Sequence, residues 1–127
     1  MEYVYLVIVL ALVEYFVFGA LVARARAKYG VKAPACVGPD AFNRTFRVHQ
    51  NTLEWLVVFL PCIWLFGTLV SAATAAIIGG VGIAGRAVYA QGYIAAADKR
   101  ASGMMVSGFA NMALLIGSLV GVLMALF

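Results

Sequence analysis

Four long apolar stretches divide this 127-residue chain, and each has the length an α-helix needs to cross a bilayer, about 20 residues. This constrains the fold more than any other feature. A backbone in hydrocarbon must satisfy its own hydrogen bonds, and a helix does so within one segment. The stretches run from about Tyr3 to Lys28, Ala41 to Leu69, Ala75 to Ala97, and residue 99 to Phe127. Composition agrees. The chain is 65% hydrophobic and 11% charged, whereas a soluble domain is about half apolar and about a quarter charged. The predicted fold class is all-α, a single integral-membrane four-helix bundle over residues 1–127.

Turn residues separate the stretches. GVKAPACVGPDA, residues 30–41, carries Gly30, Pro34, Gly38, Pro39 and Asp40, with Pro39 and Asp40 opening the second helix. SAATA, residues 71–75, is a tight connection, and Asp98 is the expected N-cap of the fourth helix. Pro61 is an expected kink. The first stretch is too long for a signal h-region and its basic residues follow it, so it reads as a retained helix. Nine Lys and Arg against five Asp and Glu give +4. The basic residues gather at 24–47 and 86–100, which an even number of spans places on one side, cytoplasmic by the positive-inside rule. That bias accounts for the basic clusters without nucleic acid. The two cysteines, Cys36 and Cys62, form no CxxC or metal-spaced set with the one histidine, so no metal is expected.

Gly80, Gly82 and Gly85 fit a dinucleotide fingerprint, but they lie inside an apolar helix and follow no strand, so close helix packing is the reading adopted. Gly117 and Gly121 have the same meaning. The polar residues are less easily dismissed. At about 100° per residue, Arg44, Arg47, Asn51 and Glu54 share one face of the second helix, and His49 points roughly the other way. Arg86, Tyr89 and Tyr93 share a face of the third helix, and Arg100 follows just past its end. Interfacial anchoring explains Arg and Tyr taken singly. It has no use for Asn51 and Glu54 beside Arg47, whereas a pocket for a small anionic or zwitterionic ligand uses them all.

FNRTFRVHQNTLEW, together with Gly85 and the RAVYAQGYIAAADKR that follows it, resembles the MAPEG family, the membrane-associated proteins of eicosanoid and glutathione metabolism. These stretches are most similar to the family's type-3 microsomal glutathione S-transferases. ARARAKYGVKAP resembles the basic end of the family's first helix. The resemblance implies a homotrimer of four-helix subunits, with glutathione as co-substrate bound between neighbours. It implies that Arg47, Asn51, Glu54, Tyr89 and Tyr93 hold the peptide from one subunit, while Arg26 and His49 reach it from the next. Arg86 matches a further glutathione contact, and Arg100 matches the arginine that activates the thiol. Trp55 stands where some members have a ligand-contacting Tyr, and Ala27 where a leukotriene-forming member has a second arginine.

The function implied is a membrane-bound glutathione transferase that attacks lipophilic electrophiles, with a peroxidase activity on lipid hydroperoxides. The alternatives are a non-catalytic lipid- or glutathione-binding protein of the same fold and a small transporter subunit, the latter resting on Glu14 in mid-span. The short chain and small loops point to a bacterial inner membrane, with the site on the cytoplasmic side.

Overall fold

A computed structural model describes all 127 residues. The chain forms α1 (Glu2–Tyr29), α2 (Asp40–Leu69), α3 (Ala72–Ala95), a 3-10 turn (Ala97–Arg100) and α4 (Ala101–Leu126). Each of the four α-helices is long and apolar enough to cross a membrane.

Local chemistry sets most of the boundaries. α1 stops at Gly30, whose φ of 69° is left-handed and whose N–H donates to the Arg26 carbonyl. Asn43 closes the following loop by accepting from the Gly38 N–H and donating to the Gly38 carbonyl, both at 2.9 Å. Pro39 precedes α2 with extended geometry, and Asp40 in the first turn pairs with Arg44 one turn on. α2 continues through Pro61 as a single helix. Ser71 caps α3, its hydroxyl accepting from the Thr74 N–H at 3.2 Å. The fourth helix departs from expectation. Asp98 does not cap it; Asp98 lies inside the 3-10 turn and makes no cap hydrogen bond, and Arg100 occupies the N-cap position of α4.

α2 and α3 form the middle of the bundle. α1 packs across both, α4 packs across both, and α1 and α4 scarcely meet. Towards the uncharged end the core contains Val4, Val7, Phe59, Ile63, Phe66, Ala75 and Leu114. Towards the charged end it continues through Phe18, Val48, Tyr89 and Ala90 to Val22, Val31 and Phe42. Lipid is as apolar as these side chains, so helix association depends on close packing and hydrogen bonds. Small residues provide the packing. A Cβ on Gly103 would strike the Tyr89 backbone, and one on Gly85 would come within 2.7 Å of the Ser107 nitrogen. Gly82 packs against Trp55 and Gly117 against Phe66, whereas Gly80 faces open space. Interhelical hydrogen bonds join α2 to α4. The Trp55 indole donates to the Ser107 carbonyl at 3.0 Å, Asn111 to the Trp55 carbonyl at 3.1 Å, and Ser118 to the Cys62 carbonyl at 2.9 Å.

Arg44 donates to the Ile94 carbonyl at 3.4 Å, which ties the start of α2 to the end of α3. Both charged connections therefore lie at one end of the bundle.

Candidate functional site

The site is built around Arg86. This side chain is 1% exposed in the middle of the bundle. No carboxylate pairs with it; the ion pairs present are Met1–Glu2, Arg44–Asp40 and Arg47–Glu54. Burying a lone guanidinium costs several kcal/mol even after relaxation, about the scale of a small domain's whole stability. Neutral partners offset that cost. Nη1 donates to Asn51 Oδ1 at 3.1 Å and Nη2 to Thr52 Oγ1 at 2.7 Å. The guanidinium also lies 4.2 Å from the Tyr89 ring centroid. Each charge-assisted hydrogen bond contributes about 1.5–3 kcal/mol, and a desolvated cation–π contact about 2. The two sides roughly balance, and Nε is left without a partner.

From Arg86 the contacts run in two directions. Towards the α2 surface, Asn51 Nδ2 donates to Glu54 Oε2 at 3.3 Å, and Arg47 Nη1 to Glu54 Oε1 at 3.4 Å. The Arg47–Glu54 pair is half-exposed and worth little to stability, so it serves chiefly to place the two groups. Towards α4, Tyr89 stacks on Tyr93 with centroids 5.7 Å apart, and the Arg100 guanidinium lies 5.3 Å over the Tyr93 ring, its Nη1 3.5 Å from the hydroxyl. Arg47, Glu54, Asn51, Arg86, Tyr89, Tyr93 and Arg100 thus form one continuous track across α2, α3 and the start of α4. A cavity of about 350 Å³ lies at its charged end, lined by Arg47, Tyr93, Arg44, Asn43, Phe46 and Asp40 among others. Small-molecule pockets begin at about this size.

Arg26 and His49 stand apart from the track. Arg26 donates to the Ala35 carbonyl at 2.7 Å and lies 5.3 Å over the Phe42 ring, so it braces the α1–α2 loop. His49 stacks on Tyr15 of α1 with centroids 4.4 Å apart and abuts Gly19. Neither residue makes a hydrogen bond or ring contact with Arg100 or Asn51. Arg86 and Tyr89, expected to touch the ligand, are each 1% exposed in the single chain. Arg44, grouped with Arg47 by helical spacing, is taken up by Asp40 and the Ile94 carbonyl.

Helical spacing gives no sign of Thr52. It sits about 100° round the helix from Asn51 and acquires its role only because Arg86 is buried. Trp55 is fixed by Ser107 and stacked on Phe59 at 4.2 Å, so it fastens α2 to α4. Glu14 is half-buried, with Oε1 shielded and unpaired. No three His, Cys, Asp or Glu side chains gather as metal ligands.

Fold and site together describe a multi-pass helical membrane protein with a charged, aromatic-lined recess at one end. Comparison with known proteins is specific. The MAPEG family matches over residues 4–120. An uncharacterized protein of Synechocystis sp. is 45% identical over 118 residues, which is 93% of this chain and 86% of that one. Human microsomal glutathione S-transferase 2 is 38% identical over 103 residues, 80% and 70% of the two chains. Leukotriene C4 synthase of Cavia porcellus is 32% identical over 106 residues, 84% and 71%. The chain belongs to the MAPEG family.

Proposed function

We propose that this protein is a membrane-bound glutathione transferase that works as a homotrimer, with its charged end in the bacterial cytoplasm. The reading rests chiefly on the track from Arg47 to Arg100. Cations, an amide, an acid and two tyrosines join in one chain of contacts at the head of apolar helices, and two of them, Arg47 and Tyr93, line a cavity there. The similarity to microsomal glutathione S-transferase 2 supplies the tripeptide as ligand. Arg47 and Asn51 face its carboxylates, Glu54 its ammonium, and Tyr93 its backbone. Arg86 and Tyr89 hold these groups in register from below. Arg26 and His49, on the far flank, meet the tripeptide bound to the next subunit in the ring, so that each α2 serves two sites.

Arg100 carries the chemistry. A free cysteine thiol titrates near pH ~8.5, and lowering that value by two units requires about 2.7 kcal/mol. A charge pair at about 4 Å in an effective dielectric near 20 supplies about 4 kcal/mol. Arg100 also lies at the N-terminus of α4, where the helix favours an anion. The thiolate sulfur then attacks an electrophilic carbon held in the bilayer. A C–S bond forms, and either a leaving group departs with its electron pair or the adduct takes a proton from water. With a lipid hydroperoxide the sulfur attacks oxygen and the O–O bond breaks. The alcohol leaves, and a second glutathione converts the sulfenic acid to disulfide and water.

The test is conjugation of a chromogenic aryl halide by purified protein in detergent, with particle mass measured on the same sample. Saturable glutathione-dependent turnover by a particle of three chains is expected. Tight glutathione binding without turnover of any aryl halide or lipid hydroperoxide would instead identify a non-catalytic binder.

A further inference from the structure

A second recess lies on the opposite flank of α1. Between α1 and α3 is a groove of about 460 Å³, lined by Phe18, Leu21, Ala87, Ala90 and Ile94 together with the polar Gln91. Small side chains on α3 hollow it out. At the charged end it meets a recess of about 190 Å³ bounded by Arg24, Lys28, Tyr29 and Thr45, and the two share Leu21 and Ile94.

We propose that this compound groove binds an anionic glycerophospholipid, its phosphate on Arg24 and Lys28 and one acyl chain between α1 and α3. Three observations carry this. First, Arg24 and Lys28 are four residues apart on one face of α1, and neither makes an ion pair; Asp40 is held by Arg44 and Glu54 by Arg47, and Asp98 in the 3-10 turn pairs with neither cation. The Lys28 ammonium is instead steadied 5.3 Å over the Tyr29 ring. Second, the dimensions match one leaflet. Along α3 the apolar trough runs from Ala87 to Ala95, eight residues or about 12 Å of helix, which is most of one leaflet's share of a hydrocarbon core about 30 Å thick, and Arg24 and Lys28 lie beyond its charged end. Third, Arg24 lies roughly 160° round α1 from Arg26, so the groove is separate from the flank carrying Arg26 and the Tyr15–His49 stack. The proposal does not depend on glutathione chemistry, and a tripeptide with two carboxylates does not suit a recess continuous with an acyl-length apolar trough.

Native mass spectrometry of the delipidated full chain tests it, with dioleoyl phosphatidylglycerol and the phosphatidylcholine of the same chains as probes. The parent should retain phosphatidylglycerol and release phosphatidylcholine. Arg24→Gln with Lys28→Gln should weaken phosphatidylglycerol binding about 30-fold, from about 1 kcal/mol per cation near a membrane surface. Lys32→Gln, in the loop outside the groove, should leave it unchanged. Ala87→Leu, which fills the trough without touching the cations, should weaken it as well. Equal retention of phosphatidylcholine by the parent, an unaltered double variant, or an unaltered Ala87→Leu protein would each overturn the proposal.

Discussion

Replacing Arg86 by Met separates stability from function at the centre of the track. The change removes the hydrogen bonds to Asn51 and Thr52 and the contact with the Tyr89 ring. Those interactions sum to about 5–8 kcal/mol. It also removes a buried cation that has no carboxylate within ion-pair distance, although Glu14 and Glu54 act on it from further off, and whose desolvation costs several kcal/mol. Met keeps the unbranched shape of the arginine stem and fills irregular space. The terms oppose each other, so the net change in stability should stay within about 2 kcal/mol, or less than about 10 °C in Tm for a chain of this length. Binding should respond differently. Without Arg86, Asn51 no longer holds Glu54 in one position, and losing one hydrogen bond to a charged group weakens affinity about tenfold to 150-fold. Thermal unfolding in detergent and calorimetric glutathione titration on one preparation measure both. A Tm drop well beyond 10 °C with glutathione affinity intact would mean that Arg86 serves the fold alone, and the reasoning would fail.

Gly103→Leu should separate α3 from α4 at Tyr89 and abolish a stable monodisperse particle in size-exclusion chromatography, whereas Gly80→Leu, which faces open space, should behave as the parent. Trp55→Phe should lose about 0.5–1.5 kcal/mol with the Ser107 hydrogen bond, read from thermal unfolding, yet leave glutathione thiolate formation unchanged. Liposomes containing the parent or Glu14→Gln should show no ion flux above empty vesicles; flux through the parent that the substitution removes would favour the transporter reading.

The spans were legible because lipid tolerates only long apolar helices, and because Gly30, Pro39 and Ser71 act through local geometry. Helical spacing alone grouped Arg44, Arg47, Asn51 and Glu54; hydrogen bonds at 3.3 and 3.4 Å join the last three, while Arg44 turns to Asp40 and the Ile94 carbonyl. It also turned His49 away, and His49 packs on α1. What escaped was tertiary. GYIAAADKR contains no proline, and nothing in it marks a 3-10 turn at Ala97–Arg100; a Cβ on Gly92 would meet the Lys99 carbonyl, so the turn folds back against α3. The depth of Arg86 was equally hidden. An arginine among tyrosines reads as an interfacial anchor, and only the approach of α2 buries it against Thr52. Arg26 was placed by its motif, which says nothing of the loop carbonyls it binds.

Ultraviolet absorbance of glutathione thiolate, followed on rapid mixing across a pH series, tests the role of Arg100 most directly. The parent should form thiolate with a midpoint about two units below the free thiol's ~8.5. Arg100→Ala should still bind glutathione, and its midpoint should return towards the free value. Undiminished thiolate in that variant would show that the guanidinium at the start of α4 does not hold the sulfur deprotonated.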